Sequence, residues 1–163
     1  MILIINICKE PLHFYEFVKP VVDIVKNSNR EALIVHYQNL SPEDLKKSEK
    51  VIICGTSLKD NEFIKNKNRF NWIKSHRKPI FGICGGAHIL GLILGKTLQE
   101  DKEIGLKEIN LKKNFLGAKG KTLVYYLHQF ESLPKIFHEK NLYATLFHPE
   151  VRNKRMILEF LKV

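Results

Sequence analysis

A cysteine set among glycines, followed 64 residues later by a histidine and a glutamate, is the constellation in this chain with the clearest chemical capacity. Cys84 stands in Gly82-Ile83-Cys84-Gly85-Gly86, between a short apolar run and an apolar stretch of helical character. That is the cysteine form of the turn that lifts a nucleophile off the end of a strand at the start of a helix. Glycines flank it because side chains there would collide with the neighbouring strand or helix. A cysteine at a helix N-terminus is also biased towards thiolate by the positive end of the dipole. The second half of the constellation is Phe147-His148-Pro149-Glu150. It supplies a general base and, two residues on, a carboxylate to orient the imidazole and stabilise its charged form. The order Cys84, His148, Glu150 reads as a nucleophile, base and carboxylate relay. The plainer account of Cys84, a small buried cysteine in a tight turn, leaves the glycine spacing unexplained. Cys8 and Cys54 lack that setting and read as core.

Other residues fall near the same chemistry. Gly55-Thr56-Ser57 follows an apolar run, and its backbone N–H groups are placed to face a developing oxyanion, with the N–H of Gly85 as the other donor. An ordinary strand-to-helix turn capped by Ser57 fits these residues equally well. His88 lies one helical turn after Cys84 and shares its face; it is either a substrate contact or a partly buried helix residue. His128, at the end of an apolar segment, is either a site-lining or a surface histidine. His13, His36, His76 and His138 have no motif around them. No C-x-x-C or H-x-x-x-H spacing occurs, so no zinc site is expected.

These residues need a scaffold that presents strand ends at one edge. Apolar runs at 2–7, 32–36, 51–54 and 80–83 read as strands. Helical patterns are expected at 11–27, where Phe14, Phe17, Val18, Val21 and Val25 share a face, from the capped start Ser41-Pro42-Glu43-Asp44, at 61–75, and after the elbow. Four alternations of strand and helix imply a parallel sheet with helices on both faces. Segments 106–111 and 121–127 then read as strands with no helix between them, followed by a last strand at 142–147 and a closing helix at 151–161. The expected architecture is therefore three-layer α/β, with a mostly parallel central sheet and a small antiparallel extension. In such sheets the site lies beyond the carboxyl ends of the strands, where Gly55, Cys84 and His148 would meet.

Composition sets the bounds. The 163 residues suit a single domain spanning 1–163, and 44% hydrophobic residues mark it as globular. No window approaches the ~20 apolar residues of a membrane span. The opening run is too short for a signal sequence, so a cytoplasmic protein is expected. Three cysteines argue against a disulfide framework. The net charge of +10 admits a nucleic acid or an acidic partner surface. The lysines are scattered, however, and no basic helix or interleaved aromatic stripe stands out, so nucleic acid is not the expected partner.

With the elbow, the His-Pro-Glu motif and the glycine turn in this order, the chain resembles a class I (triad-type) glutamine amidotransferase domain over nearly its full length. The segment from His128 to the end is similar to the tail of the archaeal glutaminase subunit of GMP synthetase. The elbow GICGGAHILG looks more like that of cobyric acid synthase and related cell-wall amidating enzymes. The resemblance implies a flavodoxin-like fold and hydrolysis of the glutamine side-chain amide. Cys84 would form a γ-glutamyl thioester, His148 would protonate the departing ammonia, and Glu150 would complete the triad. Gly55 and Thr56 fall on the oxyanion loop, where the family usually has two glycines, and Leu127 and His128 on a strand end that helps hold glutamine. His88 replaces the family's usual substrate-binding glutamine. The resemblance implies no metal or organic cofactor, and a separate synthetase partner that consumes the ammonia. Two further readings stay open: a cysteine hydrolase acting on γ-glutamyl peptides, and a catalytically weak regulatory or binding homologue.

Overall fold

The apolar run at the N-terminus forms β1 (Ile2–Asn6) and is buried on both faces. Ile2 and Ile4 enter one core, while Leu3 and Ile5 enter another on the opposite side. Such continuous burial is the mark of a parallel strand covered above and below. The computed structural model describes all 163 residues and repeats this pattern in β3 (Lys50–Ile53) and β4 (Ile80–Ile83), while β2 (Ala32–His36) lies at the edge and is only half-buried. Two further strands, β7 (Ile136–Glu139) and β8 (Leu142–Thr145), complete a six-stranded sheet of order β2-β1-β3-β4-β8-β7. Only β7 runs antiparallel, paired with β8 at the edge.

Helices cover both faces. On one side the turn before α1 (Lys19–Asn27) brings Val18, and α1 and α6 (Lys154–Phe160) bring Val21, Val25, Ile157 and Phe160, onto the sheet. On the other, α4 (Gly85–Ile93) contributes Ala87, Ile89 and Leu90, with Phe63, Phe70 and Ile73 from the segment before β4. The helix α2 (Pro42–Lys47) begins at Ser41 with a capping box closed by Asp44, as its sequence predicts.

Three expected helices take other forms. The 11–27 stretch opens with a π turn at Phe14–Val18 before α1 begins. Pro20 explains the break: with no N–H it cannot continue a helix through its own position, but it is tolerated in the first turn of a new one. The 61–75 stretch splits into α3 (Glu62–Lys65) and a 3-10 segment, Lys67–Lys74. Asn66 ends α3, and the buried Phe70 and Ile73 lie three apart, the spacing that a 3-10 helix superimposes. The closing helix is broken at Asn153 into α5 (Pro149–Arg152) and α6.

The antiparallel portion is larger than the sequence suggests. Strands β5 (Gln99–Phe115) and β6 (Ala118–Glu131) form a long hairpin that is a sheet of its own, separate from the main one. Exposed polar residues along β5 hide most of its length from hydrophobic patterning. The hairpin is seated by Leu111, Phe115, Val124 and Tyr126, which pack with Leu146, Phe147 and Met156. This packing runs β6 across the carboxyl edge of the parallel sheet.

Candidate active site

Gly82, Gly85 and Gly86 are glycines because α4 starts almost on top of the sheet. A Cβ on Gly86 would press into the carbonyl of Ile53 on β3. Between strand and helix, Cys84 takes φ 47° and ψ −98°, a conformation costly for a residue with a side chain. The strained turn places the thiol at the N-terminus of α4. Its sulfur lies 3.4 Å from the carbonyl oxygen of Leu127, which accepts the S–H.

His148 reaches the same place from the turn after β8. Its backbone N–H donates to Tyr125 O at 2.9 Å, and its ring lies 5.5 Å from that of Phe17. Pro149 begins α5 and puts Glu150 in the first turn, where its carboxylate is fully buried. Glu150 Oε1 stands 2.7 Å from His148 Nδ1. The carboxylate accepts a hydrogen bond from Nδ1–H and leaves Nε2 without another partner. Burial works against a charged imidazole, but the carboxylate of Glu150, with Cys84 on the other side, outweighs it and holds His148 well above the ordinary imidazole range.

The two side chains meet over Gly55. A Cβ at that position would lie 2.7 Å from His148 Cε1 and 3.4 Å from Cys84 Cβ, so glycine is required by space. Thr56 beside it has no positive φ. The turn therefore does not need the conformational freedom of a second glycine, and a threonine keeps its backbone donor. Neither Gly55 nor Thr56 gives its N–H to another backbone group.

Hydrophobic and imidazole groups close the cleft in front of Cys84. The free space of this cleft is about 10 Å³, room for about one water, and is lined by residues that include Thr56, Gly85, His88, Leu127, His128 and Phe130. A larger groove, about 670 Å³, lies at the foot of the hairpin around Lys96, Ser132 and Glu139 and touches none of these residues. His88 is buried, and its Nε2 donates to Phe130 O at 2.7 Å. Burial pulls it down to about 4, so the ring is neutral. His128 is buried rather than on the surface, because the hairpin folds it inward onto the cleft. Burial also draws it down to about 4, against the nearby charges of Asp101 and Glu103. Asp101, Glu103 and His128 bring donor atoms within 4.8 Å of one another. Both Glu103 oxygens are already engaged, by Lys107 at 2.6 Å and Lys135 at 2.7 Å, which leaves this trio poorly suited to a cation.

This edge can be compared with known proteins. Residues 12–139 match the family model for glutamine amidotransferase class-I. The chain belongs to that family. The match ends before His148 and Glu150, which this amidotransferase domain brings to Cys84 through β8 and α5. Among curated proteins it is similar to the imidazole glycerol phosphate synthase subunit HisH of Pelagibacter ubique, at 26% identity over 73% of this chain and 82% of that protein. It is also similar to the glutamine-hydrolyzing GMP synthase of Ruminiclostridium cellulolyticum, 31% identical over 51% of this chain and 22% of that one. Among solved structures, a candidate GMP synthase subunit from Thermoplasma acidophilum superposes with a TM-score of 0.82 at 18% identity, covering 99% of this chain and 92% of the other. That likeness establishes the shared fold.

The structure brings Cys84, His148, Glu150, Gly55, Thr56, Gly85, His88, Leu127 and His128 to a single edge of the domain. Two contributors have no motif in the sequence. The Phe130 carbonyl holds His88 through backbone alone. Asp60 is buried beside Thr56, and its only signal is a four-residue separation of the kind that local side-chain bonds use.

Proposed function

We propose that this domain hydrolyses the side-chain amide of glutamine and releases ammonia for use by a separate synthetase. The observation that carries the reading is the convergence of Cys84 and His148 over Gly55, with Glu150 2.7 Å from the imidazole, in a member of the class I amidotransferase family. Cys84 passes its thiol proton to His148 Nε2, and the thiolate sulfur attacks the amide carbon and forms a C–S bond. The negative oxygen of the tetrahedral adduct is met by backbone N–H groups from Gly85 and the Gly55–Thr56 turn. His148, held as an imidazolium by Glu150, gives its proton to the amide nitrogen as the C–N bond breaks, and ammonia leaves. The same imidazole, now neutral, takes a proton from water. That water opens the γ-glutamyl thioester and yields glutamate and the free thiol. His88, Leu127 and His128 form the wall against which the substrate is held.

The ammonia acceptor would be bound by another protein, since both curated relatives are named for larger synthetic activities. A second reading is favoured by His88. An imidazole locked onto Phe130 O replaces the glutamine usual at this position in the family, and the substrate would then be a γ-glutamyl peptide or another γ-glutamyl amide.

The test is covalent. A glutamine-like chloroketone should label Cys84 alone, detected by intact mass and peptide mapping, and excess glutamine should block it. Labelling that glutamine does not block transfers the reading to the other γ-glutamyl compounds. Equal labelling of Cys8, Cys54 and Cys84 rejects both.

A further inference from the structure

The turn that supplies the backbone donors at Gly55 and Thr56 is not held by the sheet, because β3 ends at Ile53. Oxyanion donors act only when they are fixed before the charge arrives, so something else must hold this turn. Asp60 closes it from within. It is buried, with a side chain only 3% exposed, and its backbone N–H returns to Ser57 O at 3.1 Å. Its Oδ2 accepts the Thr56 hydroxyl at 2.8 Å and the backbone N–H of Lys9 at 2.7 Å, with His13 Nδ1 at 3.4 Å. Lys9 and His13 belong to the segment after β1, so one carboxylate oxygen ties that segment to the turn. A second tie lies beside it, from Cys8 Sγ to Gly55 O at 3.7 Å. Asp60 Oδ1 is buried without a partner. A buried carboxylate with one idle oxygen is costly, and the network formed by the other oxygen is what it yields in return.

Thr56 gives this arrangement its point. A glycine in its place would offer no hydroxyl, and Asp60 would lose its grip on the turn. We propose that Asp60 is a positioning residue of the glutaminase reaction, holding the Gly55–Thr56 turn through the Thr56 hydroxyl so that its free N–H groups face the oxyanion. The inference rests on the proposed glutaminase activity, but the clamp is measurable without turnover.

The experiment compares the full chain with D60A and D60N, using a γ-glutamyl hydroxamate as an activated substrate. D60A should lower kcat by about 10-fold to 100-fold while KM stays within about threefold, the split expected when an interaction made only in the transition state is lost. Asparagine still offers an acceptor to Thr56 and Lys9, so D60N should recover most of that loss. Alkylation of Cys84 by iodoacetamide, which displaces iodide and forms no oxyanion, should keep its rate within about twofold in both variants. Amide hydrogen exchange at position 60, whose N–H closes the turn on Ser57 O, should quicken at least about 10-fold in D60A alone. A D60A variant with kcat within threefold of the parent, or with unchanged exchange at position 60, overturns the proposal. A fall in iodoacetamide reactivity parallel to that in kcat also overturns it, by showing general collapse of the site. A parent chain that leaves the hydroxamate intact, while D60A still exchanges faster, sinks the glutaminase reading and leaves the clamp standing.

Discussion

Replacing Gly55 with alanine tests whether the space over this residue sets the position of the base. Gly55 has no positive φ, so alanine brings no backbone strain, and the whole effect is that of one methyl group. That methyl would stand 2.7 Å from His148 Cε1, about 0.7 Å inside the distance at which ordinary contact begins. Relief must come from the imidazole or from the turn. The imidazole is held by Glu150 at one nitrogen, by Phe17 along its face and by Tyr125 O at its backbone N–H. The turn is tied by Cys8 and Asp60. Displacements approaching 1 Å cost on the order of 100-fold in rate when reacting groups must be aligned. Overpacking of this kind costs about 1–3 kcal/mol in stability, which for a domain of this size lowers Tm by roughly 2–12 °C. Hydrolysis of a γ-glutamyl hydroxamate and a thermal unfolding scan measure the two effects. A G55A variant with kcat within threefold of the parent and an unchanged Tm would refute the reasoning, because it would mean that the imidazole is not where the packing puts it.

Two further outcomes follow from the same geometry. His88 is neutral and buried, and its value of about 4 lies below that of an unfolded histidine; its contribution to stability is therefore complete above about pH 6.5 and lost as pH falls through 4. H88Q should flatten the acid limb of urea-measured stability by up to about 3 kcal/mol, and an acid limb identical to the parent's would contradict this account. G86A should cost more than about 3 kcal/mol or prevent folding, because its methyl group meets a backbone carbonyl of β3 that cannot rotate away; a urea midpoint near the parent's would show that α4 can slide off the sheet.

The parallel half of the fold was legible because β1, β3 and β4 are buried on both faces and read as apolar runs, and β2 at the edge keeps an apolar run although it is only half-buried. The elbow was legible because close packing of α4 on β3 admits only glycine at defined positions. Other features depend on tertiary contacts that leave little trace in local patterning. In β5 the polar residues alternate with half-buried ones over most of its length, and only Leu111 and Phe115 are fully buried. The edge strand β7 has two half-buried residues, Ile136 and Phe137, and gives no hydrophobic run. Pro20 and Asn66 did carry local signals of a break, but the apolar spacing around them continued through it. At the site, Cys84 and His148 stood out by type and spacing, whereas Gly55 suited an ordinary turn equally well. His128 was ambiguous because its burial depends on how the hairpin folds across the edge, and Asp60 had only its spacing from Thr56 to mark it, because its other partners, Lys9 and His13, lie about fifty residues away.

The hairpin also determines where this chain can change length. Tyr125 O receives the backbone N–H of His148, and Leu127 O receives the thiol of Cys84. These carbonyls sit two residues apart on β6, so a single stretch of strand spaces the two groups, although it belongs to neither of their strands. One residue inserted between them would turn the following side chains to the opposite face and expel His128 from the cleft. The turn beyond Phe115 and Ala118 is fixed as well, because Phe115 is buried with Met156 and a Cβ on Gly117 would meet Glu159 on α6. A change of length at the tip would therefore unseat the hairpin from the closing helices, so a tag, a fluorophore or a tether belongs on another loop.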